Sequence, residues 1–220
     1  MIDKRIIIVS GHYGSGKTNI ALNFAYEAKK KHEKVTIADI DIVNPYFRTK
    51  DSERILEKEG IRLICSEYAN TNIDIPALPQ EIYAITDDKS HRCILDVGGD
   101  ERGALALGRI APAILSENDY EMIYVINKYR PLTKDVESAY EVMLEIEAAC
   151  RIKFTSVVNN SNLGAETTSD DVISSLDYAR EFSEKTGLPL LYTSVSEKIY
   201  SELTGKIEGI YKISLQKTLI

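Results

Sequence analysis

The sequence predicts an α/β fold of three layers, α/β/α, around a mainly parallel sheet. Three observations carry that reading. Strand-like and helix-like stretches alternate from one end of the 220 residues to the other. The strands read as continuous apolar runs, as strands buried on both faces do, and not as half-buried alternating ones. The first strand, Arg5-Ile6-Ile7-Ile8-Val9, leads through a glycine-rich turn into a stretch with helical period, Asn19 to Lys31.

That turn is Gly11-His12-Tyr13-Gly14-Ser15-Gly16-Lys17-Thr18, which reads G-x-x-x-x-G-K-[ST], the phosphate-binding loop. Successive backbone N–H groups must point inward to wrap a phosphate. The backbone then lies so close to the ligand that a Cβ is excluded, hence Gly11, Gly14 and Gly16. The following helix aims its free N–H groups and its positive dipole end at the same anion. Lys17 supplies a full charge for the β- and γ-phosphates, and the Thr18 hydroxyl is a ligand for Mg²⁺. Tyr13, Ser15 and Asn19 complete the residues expected around the nucleotide. A turn that only joined strand to helix would explain the glycines but not Lys-Thr at this offset.

A second strand, Lys34 to Asp39, ends in Asp39-Ile40-Asp41, and Pro45 marks the following stretch as loop. Carboxylates at i and i+2 leave a strand on the same side, at the end of the sheet where open α/β folds bind ligands. Asp41 is expected to orient an attacking water and Asp39 to support Mg²⁺ or its waters. Ser52 to Glu59 reads as a short helix stopped by Gly60, Ile61 to Cys65 as a strand, Tyr68 to Pro79 as loop and Leu78 to Thr86 as a helix. The apolar strand Arg92 to Asp96 is followed by Val97-Gly98-Gly99-Asp100. A Mg²⁺-nucleotide site needs a carboxylate on a neighbouring strand, for which Asp96 is placed, and a backbone N–H near the γ-phosphate, which Gly99 offers. Asp100, Glu101 and Arg109 are read as charges on a solvated helix face, within a Gly/Ala-rich stretch.

Glu121 to Asn127 is the next strand, Pro131 opens a helix to about Ala149, and Phe154 to Val158 is a strand running into Asn159-Asn160-Ser161-Asn162. Ser169 or Asp170 caps a helix to about Lys185, ended by Gly187, and Pro189 to Val195 is a strand. The absence of repeats and long linkers predicts one domain over residues 1–220.

Hydrophobic residues make up 44% of the chain and charged residues 28%, ordinary values for a soluble globular protein. No apolar run has transmembrane length, and the first strand begins almost at once, so the expected location is cytoplasmic. A net charge of −7 argues against nucleic acid as a partner. Cys65, Cys93 and Cys150 are scattered, without metal spacing; Cys65 and Cys93 lie in apolar runs and are read as small buried residues.

The loop Gly11–Thr18, the pair Asp39-Ile40-Asp41, Asp96-Val97-Gly98-Gly99 and Val157-Val158-Asn159 together resemble the MinD/ParA family of P-loop NTPases, a SIMIBI-type branch. Its relatives include the nitrogenase iron protein, the arsenite-pump ATPase and metalloenzyme-maturation ATPases. The resemblance implies ATP and Mg²⁺ as cofactors, a nucleotide-dependent homodimer, weak ATPase activity acting as a timer, and a protein partner still to be identified. It implies that Asn159, with Asn160 beside it, faces the adenine. One departure stands out: the family's signature lysine, which reaches across the dimer, is here His12, shorter and mostly neutral near pH 7.

Two other functions are open on the residues. One is a kinase passing the γ-phosphate to a small molecule, for which Arg48, Arg54 and Arg130 lie in or near loops. The other is an ATPase that matures a metalloenzyme, for which His12, His32 and His91 are available. Adenine is expected over guanine. The Asn/Thr-Lys-x-Asp pattern of GTP-specific loops is started by Asn127-Lys128-Tyr129-Arg130 but has Arg where Asp belongs. In the tail, Ile207, Tyr211, Leu215 and Leu219 recur at i, i+4 and predict an amphipathic helix. Its three lysines, offset by Glu208, are too few for stable membrane binding, so it is expected to pack on the domain.

Overall fold

The computed structural model describes residues 2–40, 49–65 and 80–215. Eight strands form one sheet: β1 (Ile6–Ser10), β2 (Val35–Asp39), β3 (Arg62–Ile64), β4 (Arg92–Asp96), β5 (Tyr120–Ile126), β6 (Ser156–Asn159), β7 (Leu190–Ser196) and β8 (Ile210–Ile213), in the order β3-β2-β4-β1-β5-β6-β7-β8. All seven pairings are parallel.

The helices lie on both faces, as the continuous apolar strands require. Along β1, Ile6 and Ile8 point to one face, where they meet α4 (Glu101–Glu117), α5 (Val136–Cys150) and α7 (Leu176–Thr186). Ile7 and Val9 point to the other, against α1 (Lys17–Lys29) and Leu56 of α2 (Glu53–Lys58). This alternation is the two-residue period of a strand, with both faces apolar because both are covered. A smaller cluster joins Val172 of α6 (Ser169–Ser174) and Val195 of β7 to Ile199 and Leu203 of α8 (Glu197–Leu203).

Several elements differ from their sequence reading. The stretch 131–149 starts with a 3₁₀ turn at Pro131–Thr133, and α5 begins only after Asp135, which accepts a hydrogen bond from Ser138 N. The helix expected over 169–185 is two helices. Thr168, not Ser169 or Asp170, caps the first in a reciprocal box with Asp171, and the break at Ser175 comes where that buried hydroxyl donates back to Val172 O. The stretch 78–86 holds a 3₁₀ turn at Gln80–Ile82 and the short α3 (Ala84–Asp87). The expected loop 68–79 lies outside the described residues. Cys93 is buried as expected, whereas Cys65 is only half-buried; Cys150 is buried as well.

The largest correction concerns the tail. It is not a helix over 206–215 but a turn followed by β8, which extends the sheet beside β7 with Thr193 opposite Ile210 and Ser196 opposite Ile213. The end of β8 is fastened to α1. The Asn23 side chain donates to Ser214 O at 2.9 Å and accepts from Ser214 N at 2.9 Å. The tail does pack on the domain, as an edge strand.

Candidate nucleotide site

The C-terminal ends of the strands bring the motif-bearing stretches of the sequence together. β1 runs into the glycine loop, and α1 leaves it. Gly16, the residue before the helix, has φ 88°, a left-handed conformation that turns the chain sharply into α1. Its missing side chain matters as well, since a Cβ there would lie 2.2 Å from Asn160 Nδ2. The N-terminus of α1 carries no side-chain cap, and α1 is the one described α-helix with no acid in its first turn. Its first N–H groups and its dipole are thus left to face an anion.

Beside this helix end opens a cleft of about 310 Å³. Gly14, Gly16, Lys17, Thr18, Asn19 and Tyr13 line its loop end. Asn160, Asn162 and Ser194 line its middle, and Val195, Ile199, Ile213 and Leu215 give its far end an apolar wall. Among the described residues no carboxylate lines it.

Asp39 and Asp96 are register partners on β2 and β4, both buried. Thr49 Oγ1 donates to Asp96 Oδ2 at 2.8 Å. The two carboxylates and the Thr18 hydroxyl are all oxygen donors, the set a hard divalent cation takes. Gly99 reaches the loop directly: a Cβ there would fall 1.8 Å from Gly11 O. Asp100, read as a solvated charge, instead caps α4, accepting from Gly103 N at 2.8 Å. Asp41 lies outside the described residues.

His12 and Tyr13 sit at the mouth of the loop. Burial lowers the His12 pKa from its ordinary 6.5, and the charges of Lys17 and Arg130 push the same way, so the imidazole is neutral at pH 7.

Asn159 is not brought to the cleft. It is fully buried, its amide donates to Ser175 Oγ at 2.9 Å and Thr193 Oγ1 at 3.3 Å, and its Oδ1 accepts from Ser161. Asn160 does reach the loop. Its Nδ2 donates to Ser15 O at 2.6 Å, and its Oδ1 accepts from Ser194 Oγ.

Arg130 is the residue whose place here the sequence did not reveal. Its Nε donates to Gly14 O at 2.7 Å, and it lines the cleft. The asparagine-rich turn around it explains its fixed position. Asn127, fully buried, accepts from Tyr129 N and Asn162 N and donates to Asn162 O, while Thr133 Oγ1 donates to Asn127 O.

His32 and His91 lie away from the cleft, and among the described residues no three His, Cys, Asp or Glu side chains gather in a group able to hold a metal ion. No described helix is long and apolar enough to cross a membrane. Burial pushes the Cys93 thiol up to about 11, which leaves it a poor nucleophile.

The three-layer α/β fold, of the SIMIBI P-loop type, is shared with solved structures of signal recognition proteins. The chain is similar to the signal recognition particle receptor FtsY of Elizabethkingia anophelis, solved in complex with GDP (TM-score 0.55, 17% identity, 86% of this chain and 57% of that one). It is similar to FtsY of Thermotoga maritima (TM-score 0.58, 16% identity, 86% and 61%). It is also similar to the 54 kDa signal recognition particle protein of Aeropyrum pernix K1, again in complex with GDP (TM-score 0.52, 15% identity, 86% and 40%). The chain thus spans about three fifths or less of the length of these proteins. No protein-family model matches the chain, and no curated protein does. What it shares with these proteins is the fold.

Proposed function

We propose that this chain is a Mg²⁺-dependent ATP-binding switch of the MinD/ParA kind with slow ATPase activity. The observation that carries the reading is the uncapped, acid-free N-terminus of α1 behind the glycine loop, opening on a cleft that is cationic at one end and apolar at the other. A nucleotide has that polarity, with phosphates at the helix end and a base against the wall of Val195, Ile199 and Ile213.

Lys17 would hold the β- and γ-phosphates. Thr18 and Asp96 would hold Mg²⁺, which supplies charge neutralisation between those phosphates. Asp39 would support the ion's waters and Asp41 would orient the attacking water. Gly99 would offer its N–H to the γ-phosphate.

Adenine is the proposed base, although two of the similar structures were solved with GDP. Guanine presents an N1–H and an amino group that call for a carboxylate, and none lines the cleft among the described residues. The side chains near the base end are already engaged. Thr167 Oγ1 accepts from Leu163 N, and Asn162 Oδ1 accepts from Gly164 N. A nucleotide-dependent homodimer and a protein partner complete the proposal, the partner's binding being timed by hydrolysis.

Calorimetric titration with Mg²⁺-ATP and Mg²⁺-GTP, followed by product analysis, tests this reading. Preference for ATP with release of free phosphate supports it. A phosphorylated small molecule would establish the kinase alternative, and equal competition by GTP would refute the assignment of the base.

A further inference from the structure

Neutral His12 leaves the phosphate loop with one built-in cation, Lys17, where a triphosphate carries three to four negative charges. Arg130 lines the same cleft as Lys17. It comes from the turn after β5, well over a hundred residues along the chain, and is held against the loop at Gly14.

Its geometry is that of a donor held ready. Nε is spent on Gly14 O at 2.7 Å. A guanidinium has five N–H donors in a planar fork, so anchoring by Nε leaves the outer Nη edge for a ligand. The backbone beneath it is fixed three times over. Arg130 N donates to Asn127 O, Thr133 N donates to Arg130 O, and Pro131 confines Arg130 to the extended region it occupies, φ −104° and ψ 135°. No described carboxylate forms an ion pair with it.

We infer that Arg130 is a catalytic arginine acting in cis: its Nη groups bind the terminal phosphates of the nucleotide beside Lys17 and supply the second cation from within the same chain. In the step it serves, the water oxygen bonds to the γ-phosphorus while the bond from that phosphorus to the β,γ-bridging oxygen breaks. The water's proton passes to phosphate, and ADP and inorganic phosphate leave. The charge that builds on the transferring group and the bridging oxygen is what a fixed guanidinium stabilises. A lysine in its place cannot hold Gly14 O and a phosphate with one planar fork. Turnover then needs no second copy of the chain to lend a charge.

The inference rests on the proposed ATP site, and the test separates the two. Mg²⁺-ATP affinity and phosphate release are measured for the wild type, Arg130→Ala and Arg130→Lys, with release followed over a hundredfold range of protein concentration. The expected result is wild-type turnover per molecule independent of concentration, affinity within about tenfold in both variants, and turnover reduced about 10³-fold in Arg130→Ala, with Arg130→Lys far below wild type. Thermal melts show whether each variant is folded. If Arg130→Ala unfolds, Arg130→Lys decides alone. Three results overturn the inference while leaving the site intact: variant turnover within threefold of wild type, turnover rising with protein concentration, or a wild type that binds ATP and releases no phosphate. A wild type that does not bind Mg²⁺-ATP overturns the proposed function itself.

Discussion

Gly99 stands so close to Gly11 that a Cβ on the first would lie 1.8 Å from the carbonyl oxygen of the second. The obstacle is backbone, so no rotamer relieves it, and Gly99→Ala must displace the phosphate loop or its own strand end. The expected cost is about 1–3 kcal/mol of stability, which is about 2–4 °C in Tm for each kcal/mol in a chain of this size. Nucleotide affinity should fall with it. A thermal melt and a titration of the same sample check both, and an alanine variant with wild-type affinity would show that the two loops move independently.

Lys17→Ala should weaken Mg²⁺-ATP binding by about ten- to a hundredfold, the worth of one charge-assisted contact of about 1.5–3 kcal/mol. Calorimetry measures it directly.

Asp96→Asn keeps an oxygen for the Thr49 hydroxyl but removes a charge beside the proposed ion. The Mg²⁺ concentration for half-maximal nucleotide binding should rise about 10- to 100-fold, with affinity at saturating Mg²⁺ little changed. Asp41→Asn should spare binding and abolish most hydrolysis, since an amide cannot orient the water, or relay its proton towards phosphate, as a carboxylate does.

His12 titrates below its ordinary 6.5 because burial, with Lys17 and Arg130 nearby, disfavours the imidazolium. The unfolded chain therefore binds a proton that the folded one refuses. Above about pH 6.5 both states are neutral and there is no penalty. As the pH falls through 6.5 toward the folded value the penalty grows, and below that value it levels off. Denaturant midpoints between pH 7.5 and 5 should fall less steeply for His12→Gln than for the wild type.

Asn23→Ala removes both hydrogen bonds to Ser214. A loss of about 1–3 kcal/mol is expected, read as a lower Tm, and addition of ATP should widen the gap, because Ile213 and Leu215 wall the cleft and a variant that holds them less firmly binds the nucleotide more weakly and gains less from it.

The parts of the site visible in the sequence are those where mechanism dictates residue type at fixed local spacing. The glycine loop and the strand-end aspartates are of this kind. What failed, failed for geometric reasons. Asn159 and Asn160 are adjacent, and at a strand end adjacent residues face opposite ways, so a shift of one exchanges a buried amide for a cleft-lining one. The tail's spacing of four is compatible with two turns of a strand's period as well as with one turn of a helix, and only pairing with β7 decided between them. Arg130 is visible in the sequence only as the residue that breaks the Asn-Lys-x-Asp pattern and as one of several loop arginines; its contact with Gly14, 116 residues away, is set by topology.

The clasp between Asn23 and Ser214 joins groups 191 residues apart. During synthesis, β1 and the phosphate loop leave the ribosome well before the strand that walls their cleft. Such long-range closure is slow, because the chain must give up loop entropy before the contact returns anything. A nascent chain thus carries its anion-binding loop long before it has a complete cleft. Until β8 docks, β7 is left as an open sheet edge, the part of the growing protein most in need of protection from pairing with a neighbour.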